Sequence, residues 1–261
     1  MRLSRLPLIQ EQFVKSSIRE IMGVNNRSAN AVTIKEYCDV LRAARINAVD
    51  PYQKRLEDNA PVPANLEDLV CEGRVALTFA QYGCQVTIRD SPDLEARTGG
   101  LSLGIEVKHF RWKPQHDPVE EALLKSNPPI FTRMPNLSET EGREEAWDQM
   151  YRFAVKYSRQ LFDGEYNLLF FWCSTVAHWD ATLLTAANMF EEALQAPSCD
   201  PQMRNLNGMM MNGIWSRVGC DGGSVFWRPI WSAQKPLTRE LHFLLKNIAR
   251  PPDTAFVTVT P

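Results

Sequence analysis

Residues 92–108 read Pro-Asp-Leu-Glu-Ala-Arg-Thr-Gly-Gly-Leu-Ser-Leu-Gly-Ile-Glu-Val-Lys. Strand-forming residues flank the pair Gly99-Gly100, which signals a β-hairpin because both central positions of a type I′ turn need a positive φ. Counting outward from a two-glycine loop predicts the pairs Thr98 with Leu101, Arg97 with Ser102, Ala96 with Leu103, Glu95 with Gly104, Leu94 with Ile105, and Asp93 with Glu106. Two carboxylates are therefore expected opposite each other on neighbouring strands.

The alternation of apolar and polar residues independently supports this register. Four apolar residues of the second strand fall on one face at a period of two, whereas Glu106 and Lys108 fall on the other. The Cβ atoms of Asp93 and Glu106 would lie roughly 5 Å apart, and like charges at this spacing are destabilising unless a positive charge lies between them. A divalent cation would supply that charge.

The composition is that of an ordinary soluble globular protein. The chain has 261 residues, of which 44% are hydrophobic and 23% charged, enough for one large domain or two small ones. No run of 18 apolar residues and no secretory h-region is present, so we expect neither a membrane span nor secretion. Six scattered cysteines without a C-x-x-C pair favour reduced thiols in the cytoplasm over a zinc site.

The overall charge counts mildly against a nucleic-acid partner, but its distribution leaves one open. The net charge is −2, whereas residues 1–55 carry ten basic and five acidic side chains. Basic and aromatic residues also alternate at Arg111, Trp112 and Lys113. This run is typical both of a segment that tracks a phosphate backbone and stacks a base and of an ordinary amphipathic strand end.

The remaining patterns predict alternating helices and strands. We expect helices at 9–22, 34–44 (capped by Thr33), 66–82 (capped by Asn65), a long segment ending near 162, 179–194 and 237–248. We expect strands at 84–89, 166–173, 209–215, 224–231 and 255–260, with a turn at Cys220 to Gly223 between the strands at 209–215 and 224–231. We expect proline-rich connections at 51–63 and 114–139. Glu72 interrupts the apolar stripe of the helix at 66–82, either because it reaches water or because it points at a metal site.

Taken together, these features resemble the PD-(D/E)xK nuclease superfamily. The resemblance rests on Pro92-Asp93, on Glu106-Val107-Lys108, on Glu72, and on the order helix, three strands, helix, strand, helix over residues 64–195. It implies an α/β fold with a restriction-endonuclease-like αβββαβα core at 64–195, a mixed sheet flanked by helices. Residues 1–60 would form a helical N-terminal region, and residues 196–261 an α+β extension packed on the core.

The resemblance also implies roles for individual residues. Asp93, Glu106 and the backbone carbonyl of Val107 would bind Mg²⁺, for which Mn²⁺ could substitute, and Glu72 would complete the site. Lys108 would orient or activate the attacking water.

Further residues have expected but less specific roles. Glu95 lies on the same face as Asp93, so it is an alternative metal ligand that would assist Asp93 or substitute for it. Gln149 is a candidate nucleic-acid contact, because some relatives carry glutamine on the helix after the E-x-K strand. Phe153 stands where some of these relatives have tyrosine.

The sequence thus predicts a Mg²⁺-dependent nuclease that hydrolyses phosphodiester bonds of DNA, with endonuclease activity favoured. The context would be defence, mobile elements, repair or recombination, in the cytoplasm of a bacterial or phage-like system or in a eukaryotic nucleus, and the assembly a homodimer or a larger nucleoprotein complex. One alternative is an inactive nuclease-like fold that binds DNA or protein. Another is an ordinary hairpin whose Glu106 and Lys108 form a surface pair.

Overall fold

A six-stranded open sheet forms the centre of the protein. The computed structural model describes residues 27–110, 146–159, 161–162, 165–173, 180–217 and 220–249. The strands are β1 (Gln85–Ile88), β2 (Leu94–Thr98), β3 (Leu101–Phe110), β4 (Tyr166–Cys173), β5 (Gly208–Arg217) and β6 (Cys220–Pro229). The helices are α1 (Arg27–Ala43), α2 (Val49–Asn59), α3 (Pro63–Gln81), α4 (Ala146–Ser158), α5 (Asp180–Gln195) and α6 (Arg239–Ile248), with a 3₁₀ helix at Pro201–Asn205.

The sheet is mixed, and its strands follow one another in chain order. Strands β1, β2 and β3 form an antiparallel meander, β4 and β5 then run parallel to β3, and β6 returns antiparallel to β5. The parallel pairs require crossover connections, and α4 and α5 lie in the chain between those strands. Among the described residues of 64–195, the predicted order of elements is confirmed as α3, β1, β2, β3, α4, β4 and α5.

The hairpin register predicted from the two glycines is confirmed. Thr98 pairs with Leu101, and the ladder continues without a bulge to Leu94 opposite Ile105. Gly99 and Gly100 have φ values of 55° and 80°, the left-handed conformation that a primed turn requires. Asp93 lies one residue before β2, directly beyond the last pair of the ladder.

Helices cover both faces of the sheet, so the protein has three layers. Leu103, Ile105 and Phe170 point to one face, where they form a hydrophobic cluster with residues of α1, α2, α3 and α6. Leu169 and Phe171 point to the other face and pack with residues of α4, α5 and the 3₁₀ helix. The run at β4 alternates between these two clusters, because a strand buried on both sides has no solvent face.

Three predictions for the first helices are wrong. Helix α1 begins at Arg27, so Thr33 lies inside the helix and does not cap it. The proline-rich stretch predicted as a connector contains α2, whose first turn holds Pro51; a proline is tolerated there because the N–H groups of the first turn have no partner within the helix. Helix α3 likewise begins at Pro63 rather than after Asn65.

The C-terminal region is more closely integrated than an extension packed on a core. Strands β5 and β6 continue the central sheet, and α6 contributes to the same hydrophobic cluster as α1, α2 and α3. The predicted turn around Cys220 to Gly223 is wrong, because Arg217 pairs with Cys220 and these residues belong to β6. Thr238 caps α6 by accepting a hydrogen bond from the N–H of Leu241 at 3.3 Å.

Several predicted segments lie outside the described residues, namely the helix at 9–22, the proline-rich stretch at 114–139 and the strand at 255–260. Within the described ranges, no helix combines the length and the apolar character that crossing a membrane would need.

Candidate active site

Two carboxylates and one ammonium group meet where β2 begins beside β3. The Nζ atom of Lys108 lies 2.7 Å from Oε1 of Glu106 and 3.7 Å from Oδ2 of Asp93. Asp93 and Glu106 are only 8% and 7% exposed, and the side chain of Lys108 is 20% exposed. The interpretation of Glu106 and Lys108 as a surface pair is therefore wrong.

The backbone of β3 fixes the Asp93 carboxylate. The N–H of Val107 donates a hydrogen bond of 2.7 Å to Oδ2 of Asp93, which takes the place of the next ladder bond between the strands. Because the N–H and C=O groups of one strand residue point to the same side, the Val107 carbonyl also lies on the Asp93 side of β3. The hairpin of β2 and β3 thus fixes the positions of both the Asp93 carboxylate and the Val107 carbonyl.

Helix α3 brings a third carboxylate to the cluster. Glu72 is 7% exposed, and the guanidinium of Arg55 on α2 holds both of its oxygens through Nη2 at 3.1 Å. The Nη1 atom of Arg55 also donates to the carbonyl of Arg89 at 3.1 Å. Arg55 therefore joins α2, α3 and the end of β1 around the site.

Burial and mutual repulsion raise the pKa values of two acids. The pKa of Glu72 is raised to about 8, first by burial and then by the charge of Asp93, and Arg55 and Lys108 only partly offset this. The pKa of Asp93 is raised to about 6, again mainly by burial, with Lys108 opposing and Glu106 adding to the increase. Acids with pKa values near neutrality are characteristic of sites that exchange protons.

Lys108 stays protonated despite its burial. Burial lowers the pKa of an ammonium, but the charges of Asp93 and Glu106 outweigh this, and the pKa of Lys108 is raised. Its Nζ atom lies 4.2 Å from the centroid of the Tyr157 ring on α4, a cation–π distance. Two carboxylates and one aromatic face thus determine where the ammonium sits.

The structure separates Glu95 from this cluster. Its carboxylate pairs with Arg89, accepts a 2.9 Å hydrogen bond from Nε of Arg97 and accepts a 2.6 Å hydrogen bond from the Ser102 hydroxyl. Although burial alone would raise the pKa of Glu95, these hydrogen bonds and the charge of Arg89 outweigh it and lower the pKa. Glu95 lies on the expected face, but it is engaged by its own cations.

Helix α4 carries two residues singled out from the sequence, Phe153 and Gln149. Phe153 packs edge-to-face against Phe110 at 6.2 Å and against Tyr157 at 5.9 Å, so the tyrosine at the site is one turn further along α4. Gln149 is 7% exposed, and its Nε2 has no hydrogen-bond partner among the described residues. Arg111, Trp112 and Lys113 lie outside the described residues.

The donors of the site suit Mg²⁺ or Mn²⁺ in their chemistry. Carboxylate oxygens of Asp93 and Glu106 and the carbonyl of Val107 are hard ligands of the kind these ions prefer, and the repulsion between the acids calls for a positive charge. In this arrangement Lys108 supplies that charge and Arg55 engages Glu72. Consistent with this, the described part of the chain contains no group of three His, Cys, Asp or Glu side chains gathered for metal binding.

Sequence reasoning missed Arg55 and Tyr157. Arg55 lies in α2, where the prolines predict a connection rather than a helix. The residues next to Arg55 in the sequence do not indicate a contact with Glu72. Tyr157 follows Phe153 by four residues, so its position on the same helical stripe was a usable signal.

No protein-family model, no curated protein and no solved structure matches this chain.

Proposed function

We propose that this chain is a metal-dependent nuclease of the PD-(D/E)xK type that hydrolyses phosphodiester bonds of DNA. The observation that carries the proposal is the contact of two buried acids, Asp93 and Glu106, with Lys108 where β2 begins beside β3, with the buried Glu72 nearby on α3. Burying two acids against one base, with a third buried acid nearby, is costly for a fold, and such arrangements are concentrated at functional sites. On this proposal, residues 64–195 form a restriction-endonuclease-like core.

The residues of the cluster have different roles in the proposed hydrolysis. Asp93, Glu106 and the Val107 carbonyl would hold Mg²⁺, which when bound absorbs charge on the phosphoryl oxygens and favours an activated water. Lys108 remains an ammonium at neutral pH, so it donates hydrogen bonds and orients the water or a phosphate oxygen. Glu72, with a pKa of about 8, holds a proton that it can exchange near neutral pH.

A cleavage assay with near-isosteric variants tests this proposal. Purified protein is incubated with supercoiled and linear DNA in Mg²⁺, in Mn²⁺ and in EDTA, alongside Glu106→Gln and Lys108→Met. Glu240→Gln and Lys246→Met are matched controls, because both residues are exposed on α6. We expect metal-dependent nicking by the wild type and the controls, and a loss of at least about 10²-fold in the site variants. Equal activity in all five proteins, or cleavage that survives EDTA, would contradict the catalytic assignment.

A second candidate function is a nuclease-like fold that binds nucleic acid or protein without cleaving. It is favoured by the ammonium of Lys108 between the two carboxylates and by the hold of Arg55 on Glu72, since both contacts satisfy the acids without a metal. Titration calorimetry separates the two candidates. Heat from Mn²⁺ binding that disappears in Asp93→Asn supports the enzyme, whereas DNA binding without any metal binding supports the assembly module.

A further inference from the structure

A second charged cluster lies on the same face of the sheet as the acids. The carboxylate of Glu95 pairs with the guanidinium groups of Arg89 and Arg97 and accepts the Ser102 hydroxyl. One negative charge thus faces two positive charges, and the cluster as a whole is cationic. The acid–lysine site beside it combines three carboxyl groups with the ammonium of Lys108.

The carboxylate is buried but its two cations are accessible. Only 9% of the Glu95 side chain is exposed, against 41% for Arg89 and 59% for Arg97. An arginine carries five N–H donors, and the hydrogen bonds to Glu95 come from Nη2 of Arg89 and Nε of Arg97. Glu95 therefore anchors the two guanidinium groups from below while other N–H donors face solvent.

The position of this cluster relative to the acids is fixed by the hairpin. Glu95 pairs with Gly104, two residues from Glu106 along β3, which corresponds to about 7 Å. The backbone N–H of Arg89 donates to the carbonyl of Asp93 at 2.8 Å, so the segment that carries Arg89 is bonded to the segment that carries the catalytic acid. A ligand that contacts both clusters would place a negatively charged group on the two arginines and its reacting group at the acid–lysine site.

We propose that Arg89 and Arg97 form a subsite for a backbone phosphate next to the scissile phosphodiester, and that Glu95 is the positioning residue that holds both guanidinium groups. Planar guanidinium groups with several parallel donors match phosphate oxygens in geometry as well as in charge. The inference rests on the proposed nuclease function. It also assigns Glu95 a role other than metal binding, because three donors already occupy its oxygens.

The subsite is tested by separating substrate binding from chemistry. Arg89→Gln, Arg97→Gln and Glu95→Gln are compared with the wild type and with Arg159→Gln, a control whose 51% exposed side chain forms an ion pair with Asp200. Affinity for a fluorescein-labelled DNA duplex is measured in EDTA over a range of KCl concentrations, and KM and kcat are measured in Mg²⁺. Melting curves verify that each variant is folded.

We expect each arginine variant to raise Kd and KM roughly tenfold and to lower the salt slope of binding by about one, with kcat little changed. Glu95→Gln should raise KM with a smaller change in salt slope, because both positive charges remain. Arg89→Lys and Arg97→Lys should keep the wild-type slope while losing affinity, since lysine keeps the charge but not the planar donors.

The outcomes distinguish this inference from the proposed function. If the wild type cleaves DNA and the Arg89 and Arg97 variants match Arg159→Gln in KM and in salt slope, the subsite is refuted and the nuclease stands. If the wild type neither binds nor cleaves DNA, both fail. Should a glutamine variant not fold, a folded lysine variant with the Kd and KM of the wild type would equally refute the subsite.

Discussion

Replacing Glu72 with glutamine should stabilise the metal-free protein at neutral pH. The native state holds the Glu72 carboxyl in a buried position beside Asp93 and raises its pKa from 4.5 to about 8. Between these two pH values the native carboxyl keeps a proton that the unfolded chain has released. Wild-type stability therefore falls as the pH rises from about 4.5 to 8, because the native state binds more protons than the unfolded state.

The size of the effect follows from the two pKa values. At about 1.4 kcal/mol for each pH unit, the loss attributable to Glu72 is about 3 kcal/mol at pH 7 and about 5 kcal/mol above pH 9. Glutamine resembles the protonated carboxyl in shape and does not titrate. The free energy of unfolding of Glu72→Gln should thus equal that of the wild type near pH 4.5 and exceed it by about 3 kcal/mol at pH 7.

Urea denaturation in EDTA at pH 5, 6, 7 and 8 measures this difference directly. Glu95→Gln is the matched control with the opposite sign. The pKa of Glu95 is lowered, so its contribution to stability is present above the unfolded-state pKa and is lost as the pH falls. Its replacement should be destabilising by nearly the same amount at all four pH values, because they all lie above the unfolded-state pKa. A Glu72→Gln variant that is less stable than the wild type at pH 8, or equally shifted at every pH, would refute the account of the buried cluster.

Two further predictions concern the helix beneath the site and the binding of metal. A Cβ at Gly73 would lie 2.2 Å from the Tyr37 hydroxyl, so Gly73→Ala should cost about 3 kcal/mol in urea denaturation, against about 1 kcal/mol for Gly83→Ala, where φ is 85° and nothing lies within 4 Å. Equal costs would contradict the packing of α1 against α3. Metal binding needs the ionised form of Asp93, whose pKa is raised to about 6. A fixed Mn²⁺ concentration, set at 100 times the Kd measured at pH 8, should therefore stabilise the protein by about 2.7 kcal/mol at pH 8 and by much less at pH 5. Thermal shifts that are the same at both pH values would show that the metal binds elsewhere.

The hairpin at the centre of the fold was predictable because its determinants are local. Two adjacent glycines set the turn, and the strand period of two then sets each pair as far as Leu94 and Ile105. The proximity of Asp93 to Lys108 follows from the same count. The buried strand β4 was predictable for a similar reason, since a short continuous apolar run between helices has few alternatives.

The surroundings of the site depend on contacts between distant segments, which leave little trace in the sequence. Arg55 contacts Glu72, which lies 17 residues further along the chain. Arg55 belongs to α2, whose first turn contains Pro51, and the prolines in this stretch predict a connector rather than a helix. The two arginines beside Glu95 come from either side of it in sequence, at Arg89 and Arg97, yet only the fold shows that one carboxylate holds both. The turn between β5 and β6 was misplaced because glycines within a strand resemble a turn signal.

The most direct test of the account is a crystal structure of the protein soaked with Mn²⁺, with anomalous scattering data collected to locate the ion. The account predicts one anomalous peak in contact with the carboxylates of Asp93 and Glu106, with the Lys108 ammonium displaced from its 2.7 Å contact with Glu106. No peak should appear in Glu106→Gln. An ordered crystal at saturating Mn²⁺ without a peak between these acids would contradict a metal-dependent active site and favour the non-cleaving alternative.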